Sequence, residues 1–164
     1  MILDLPPVLA TRRNHALEHA TLHVLEDRQP DRHLAGHSNP TGFFIFANVT
    51  TEELKNSITQ ALTRLRSGES NLAIHAGCGT NMATSLLMSS FFAFLPVSGR
   101  KSTLWRVLML PVGVLFAVVG YALSQPLGPW LQANVTTEAD MGDLRVLEVV
   151  PVRKGVHRVM TAAA

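Results

Sequence analysis

His15-Ala16-Leu17-Glu18-His19 sets two imidazoles four residues apart with a carboxylate between them, in a segment (residues 11 to 27) whose apolar spacing predicts a helix ended by Gln29-Pro30. Residues four apart on a helix lie one above the other, so both rings reach a single ion. Glu18, about 60° round the axis, holds a water beside it. Two neutral nitrogens on a metal, an open position and a carboxylate that takes a proton are what hydrolysis at zinc requires. His15 and His19 are therefore the expected zinc ligands, and Glu18 the expected catalytic base. On the helical wheel His15, His19, Leu22 and Glu26 share one line, nearly opposite Leu17 and Val24, which keeps the histidines off the main apolar face. Glu26 is then a further ligand or a supporting partner of His19 or His23, and His23, one turn on, is an alternative ligand.

A metal site needs more donors than one helix supplies, and the segment Ile74-His75-Ala76-Gly77-Cys78-Gly79-Thr80-Asn81 offers them. A cysteine ahead of a helix start feels the positive end of the dipole, which favours the thiolate that binds metal or attacks a carbonyl. Gly77 and Gly79 permit a sharp turn and a close approach. With His75 or Cys78 as third ligand the set is open and of the catalytic type, with zinc as cofactor. A buried, inert thiol in a turn that starts a helix is the competing reading, with Asn81 as a cap. A thiol-dependent enzyme that uses Cys78 with a nearby histidine is a third. His33, His37 and His157 fall on expected strands and read as surface or sheet residues.

The five residues His15 to His19 resemble the motif of the inverzincin metallopeptidases, which implies two zinc ligands and a general base in the same order. The third ligand of those enzymes is a downstream glutamate, and residues 85 to 100 contain none. A longer match covers Asn14 to Thr21 and His75 to Asn81. There the chain resembles an uncharacterised family of bacterial membrane proteins that carries a domain of unknown function with Asn-His-Ala-Leu-Glu-His-Ala-Thr and Cys-Gly-Thr-Asn segments. That resemblance implies an integral protein of the bacterial inner (cytoplasmic) membrane and no particular activity.

The elements that must position these residues follow from hydrophobic pattern. Asp, Glu, Lys and Arg are absent from Ser70 to Gly99 and again from Val107 to Thr137. Met82 to Val97 and Val107 to Leu123 are therefore two expected membrane spans, the second the better because of its length. Trp105 and Trp130 flank the second as interface anchors. The connecting loop Ser98-Gly99-Arg100-Lys101-Ser102, with Arg106 nearby, is basic and belongs on the cytoplasmic side by the positive-inside tendency. Met1 to Pro7 carries no basic region followed by an apolar core, so no cleavable signal peptide is expected, and a free thiol also suits a cytoplasmic domain. These arguments place different parts of the chain on the same side and leave orientation open.

Outside the spans, strands are expected at His33 to Ser38, Phe43 to Val49, Asn71 to His75, Leu144 to Val152 and Val156 to Thr161. Asn39-Pro40-Thr41-Gly42 suits a type I turn between the first two. Phe43, Phe44 and Phe46 are expected in the core. Thr50 or Thr51 caps a helix with Glu52 and Glu53 in its first turn, and Gly68 ends it. The expected fold is thus a small α+β domain, a mixed sheet with two helices, interrupted by a transmembrane hairpin. Residues 1–81 form its N-terminal water-facing part, 82–130 the hairpin, and 131–164 the strands that complete the same sheet.

Composition narrows the function classes. Charged residues are only 16% of the chain, and 14 Lys and Arg face 12 acidic residues, so no nucleic-acid surface is expected. One cysteine excludes an intramolecular disulfide. Expected partners are the lipid bilayer and a homo-oligomer or larger membrane complex. Two roles stand side by side: a membrane-tethered zinc hydrolase acting on peptide bonds, and a non-catalytic scaffold subunit whose histidines hold a structural metal, a tetrapyrrole or plain structural contacts.

Overall fold

The computed structural model describes residues 2–28, 30, 33–99 and 102–162. Two compact units emerge, Met1–His75 together with Gln132–Ala164, and Ala76–Leu131.

The first unit is a small α+β domain. Helix α1 runs Pro6–Arg28, starting earlier than the apolar spacing suggested because proline is tolerated in the first helical turn, where its missing N–H has no partner to lose. Strands β1 (Ala35–Asn39) and β2 (Gly42–Phe46) form a hairpin, and α2 (Thr51–Arg66) follows, its first turn closed by the Thr50 hydroxyl accepting from the Glu53 N–H at 3.1 Å. Strands β3 (Arg145–Arg153) and β4 (Val156–Ala162) return from the far end of the chain. They complete a four-stranded sheet of order β1-β2-β4-β3.

Every pairing in that sheet is antiparallel, which corrects the expectation of a mixed sheet. The strand expected at Asn71 to His75 is also absent: Ser70–Ala73 is a turn of 3-10 helix. Its short apolar run is buried at Leu72 and Ala73, but the carbonyls of Ala73 and Ile74 are taken by side chains of α1 rather than by a ladder.

One face of the sheet builds the core. Phe43 and Ile45 of β2 and Val159 of β4 are fully buried together with Leu17 and Leu25 of α1 and Leu54 and Ile58 of α2. Strand periodicity sends Phe44 and Phe46 to the other face, where they stack at 6.4 Å and Phe44 lies 4.7 Å from the Arg158 guanidinium. Of the three phenylalanines expected in the core, only Phe43 is there. His157 pairs with Ile45 across the strands and is buried, and burial pushes its pKa below the usual imidazole range.

The second unit packs α3 (Gly79–Phe94) against α5 (Leu110–Leu131), with α4 (Thr103–Leu108) between them in sequence. The helices run antiparallel, since Gly113 faces Ala93, Gly120 faces Met88, and Gly128 faces Asn81. A Cβ on Gly120 would lie 2.5 Å from the Met88 carbonyl oxygen, so glycine sets how close the backbones come. Between them the Ser85 and Ser124 hydroxyls bond at 2.8 Å, while Leu86, Phe91, Val114, Val118 and other large apolar side chains point outward and exposed. Among the described residues one helix, Leu110–Thr136, is long and apolar enough to cross a membrane. At about 1.5 Å per residue the 16 residues of α3 reach roughly 24 Å, short of the roughly 30 Å hydrocarbon layer. Arg100 and Lys101, on which the expected basic loop turned, lie outside the described residues.

Gly42 begins β2 at φ +133°, and a Cβ there would run into the Val159 carbonyl oxygen of β4. Gly68 also has a positive φ, +99°, but open space around it. Gly42→Ala is therefore expected to lower the apparent Tm of the detergent-purified protein by more than Gly68→Ala does, a difference of about 1–3 kcal/mol. Equal drops in thermal unfolding would mean that the contact with β4 contributes nothing.

Candidate metal centre

Helix α1 is buried on nearly every side, although it carries Arg12, Asn14, Glu18 and His19 among its buried residues. Each must then find a partner inside the protein. Asn14 donates to the Asn39 carbonyl of β1 at 2.9 Å and accepts from the Thr161 hydroxyl of β4 at 2.7 Å. Arg12 donates to the carbonyls of Val135 and Thr137, each at 2.9 Å, and pairs with Glu138 at 3.2 Å. These bonds fix the rotation of α1 against the sheet, and with it the direction of the histidines.

His15, His19 and His23 form a row down α1, one turn apart. His15 Nδ1 meets the Thr136 carbonyl at 2.9 Å, His19 Nδ1 the Ala73 carbonyl at 2.7 Å, and His23 Nε2 the Ile74 carbonyl at 2.8 Å. A carbonyl only accepts, so the bonded nitrogen carries the hydrogen. In the neutral ring the other nitrogen then holds the lone pair: Nε2 in His15 and His19, Nδ1 in His23. This is the arrangement that orients metal-ligating histidines. The His15 and His19 rings are 4.3 Å apart.

His75 joins the row from the segment after the 3-10 turn. Its ring lies 5.7 Å from that of His19 and 4.8 Å from that of His23. Gln132, itself fully buried, grips the His75 backbone at both ends: its Oε1 accepts from the His75 N–H at 2.9 Å, and its Nε2 donates to the His75 carbonyl at 3.2 Å. His75 Nε2 lies 3.0 Å from Glu26 Oε1, and His23 Nδ1 lies 4.0 Å from Glu26 Oε2. Of the residues expected at a site, His15, His19 and His75 are thus neighbours, as is His23.

Glu18 takes a different direction. Its carboxylate accepts from the Ser38 hydroxyl of β1 and lies directly over Gly36, where a Cβ would collide with it. Burial holds its pKa above the usual carboxylate range, opposed by the Ser38 hydrogen bond and by the nearby charges of His15 and His37. Cys78 belongs to the other unit, where it is the N-cap of α3 and its Sγ accepts from the Thr80 N–H at 3.4 Å. Asn81, expected as a cap, instead donates to the Ala76 carbonyl at 3.0 Å. His33 lies exposed before β1 rather than in a strand, and His37 is exposed on β1.

Three participants escaped the sequence reading. Gln132 left one trace, an amide just past a long apolar run. Gly36 left another, since a glycine inside a strand marks close approach of another group. Ser38 left none.

The sequence profile of a family described as a domain of unknown function (DUF6391) matches residues 10–149. Both segments that carried the sequence resemblance, Asn14 to Thr21 and His75 to Asn81, lie within that match. An uncharacterized protein of Picosynechococcus sp. is 36% identical over 144 residues, covering 79% of this chain and 67% of its own length. No solved structure matches the chain.

Since Gly36 has no positive φ, an alanine there is opposed first by the Glu18 side chain, whose atoms lie nearest to the added Cβ. Gly36→Ala is expected to destabilise the protein by about 1–3 kcal/mol, and most of that loss should vanish when Glu18→Ala is already present. Additive effects in this double-mutant cycle would place the carboxylate elsewhere.

Proposed function

The chain belongs to the family described as a domain of unknown function (DUF6391), and from that starting point we propose that it is a membrane-anchored protein binding a divalent transition metal, zinc by its donor set, on the histidine row of α1. The observation that carries this reading is the pair of clamped rings. His15 and His19 sit 4.3 Å apart, and a backbone carbonyl on each Nδ1 sets Nε2 of both as the ligating atom. Neutral imidazole nitrogens favour zinc and its neighbours over magnesium or calcium. His75 or Cys78 is the third donor.

The anchor in this reading is a two-helix hairpin. Leu110–Thr136 is the span that meets the length requirement, and α3 is a shorter second pass. Small residues between the helices and large apolar ones outside are the pattern of helices packed in lipid. Trp105 and Trp130, about half exposed, suit the interface. The bilayer is thus the first partner, a second copy or a larger complex the next, and the α+β domain lies on the cytoplasmic side of a bacterial inner membrane.

Hydrolysis is the second reading, favoured by Glu18. A buried carboxyl whose pKa is raised works as a proton acceptor and donor nearer neutrality than an ordinary one, and His15 lies within its electrostatic reach. Its Ser38 bond must then break or share the carboxylate during turnover.

Metal content of the detergent-purified chain after zinc loading and desalting tests both. Wild type and Glu18→Gln are expected to retain a tightly held zinc, and His15→Gln and His19→Gln, which keep a donor for the clamping carbonyl, to lose it. Parallel His75→Gln and Cys78→Ser variants identify the third donor. Zinc-free wild type, with the row intact, would leave the histidines as structural clamps of an anchored scaffold. Peptide hydrolysis by wild type that disappears in metal-replete Glu18→Gln establishes the second reading, and no hydrolysis in either removes it.

A further inference from the structure

We infer that His23, Glu26 and His75 form a second metal position, on the outer end of the row, separate from the His15 and His19 pair. One donor atom from each of the three lies within 4.8 Å of the others. Tetrahedral zinc with bonds near 2.1 Å holds its donors about 3.4 Å apart, so modest side-chain closure completes the set. His75 Nε2 donates to Glu26 Oε1 at 3.0 Å, so a metal that binds there takes the place of that proton and releases it.

Two of the three donors are prepared for it. The Ile74 carbonyl on His23 Nε2 leaves Nδ1 as the lone-pair nitrogen, and that atom is the one facing Glu26. Gln132 pins the His75 backbone through both its N–H and its carbonyl, so the ring is delivered by a fixed main chain rather than by a loose loop. The third, Glu26, reaches both rings from position i+3 of His23 on the same helix.

This position is more open than His19, although His15, like His23, is only part-buried. The side chains of His23 and Glu26 are 30% and 39% exposed and that of His75 is 9%, whereas His19 is 1% exposed. Water completes the shell, giving two nitrogens, one carboxylate and an open face, a set that takes Zn²⁺, Co²⁺ or Fe²⁺ in preference to Mg²⁺ or Ca²⁺. The ring of His75 is 5.7 Å from that of His19, so an ion captured here stands beside the inner pair. The outer site uses neither His15 nor His19 and does not require the inner one to be occupied.

Cobalt is the probe. The full chain in detergent is titrated with Co²⁺ by equilibrium dialysis and visible absorption, with circular dichroism to check folding. Wild type is expected to bind two equivalents, the outer one exchanging readily. Glu26→Gln and His23→Gln, both near-isosteric and at part-exposed positions, should each weaken one equivalent by more than the roughly 10–100-fold that loss of a supporting hydrogen bond causes, and leave the other intact. His19→Gln should do the reverse. A single equivalent lost in His19→Gln but untouched by Glu26→Gln and His23→Gln overturns the outer site and keeps the inner reading. A single equivalent lost in Glu26→Gln and His23→Gln but kept in His19→Gln supports the outer site and overturns the inner one. No binding by folded wild type overturns both.

Discussion

The backbone carbonyls of Ala73, Ile74 and Thr136 lie in segments with no strand ladder, and helix α1 is what meets them. A buried carbonyl without a donor costs about 1–3 kcal/mol, so a helix packed against such segments must present N–H groups at matching heights. A histidine row with a repeat of four does so: His15, His19 and His23 rise along one side at about 6 Å per step. The hydrogen bonds to Val135 and Thr137 from Arg12, and those of Asn14 to β1 and β4, hold the helix at the rotation this requires. Everything else about the row, including which nitrogen of each ring is a donor, follows from that fit.

This explains which parts of the fold the sequence made legible. Strands β2 and β4 and helix α2 announce themselves through alternation, an N-cap threonine and a terminal glycine, because their partners are regular and their faces one-sided. The segment from Asn71 to His75 carries a short apolar run of the kind a buried strand shows, yet it folds as a 3-10 turn whose polar groups go to His19, His23 and Gln132. An apolar run reports which side chains are buried, and here Leu72 and Ala73 are. It says nothing of where backbone hydrogen bonds go, and that is what separates a strand from a turn. The loss of this strand also leaves the sheet antiparallel throughout.

The candidate site was legible to the same degree and for the same reason. The four-residue spacing of the histidines is a local property, and their shared side of α1 follows from it. Glu18 is the contrary case. Spacing brings it within about 60° of the row, but β1 offers a glycine gap at Gly36 and a hydroxyl at Ser38, and a buried carboxylate goes where hydrogen bonds are. Wheel geometry fixes a direction to within a rotamer, and tertiary partners choose the rotamer. The helical unit gives a third example: its length of apolar sequence was plain, whereas the breaks at Leu95 and Met109, which shorten α3 and begin α5 later, depend on local turns.

The molecule itself contains the comparison that gives the histidines meaning. At His75 the backbone needs one donor and one acceptor, and a glutamine, Gln132, supplies both. An amide is therefore available to this fold wherever a clamp alone is required. Lysine or arginine would also satisfy a carbonyl, but would bring charge and no lone pair. At positions 15, 19 and 23 the donor to the carbonyl is instead an imidazole, the one side chain that gives a hydrogen bond from one edge and keeps a basic nitrogen on the other. Three such choices in succession, with His75 and Glu26 brought alongside, gather imidazoles of like orientation along one side of a single helix. The clamps account for one nitrogen of each clamped ring, and the metal site proposed above would engage the other.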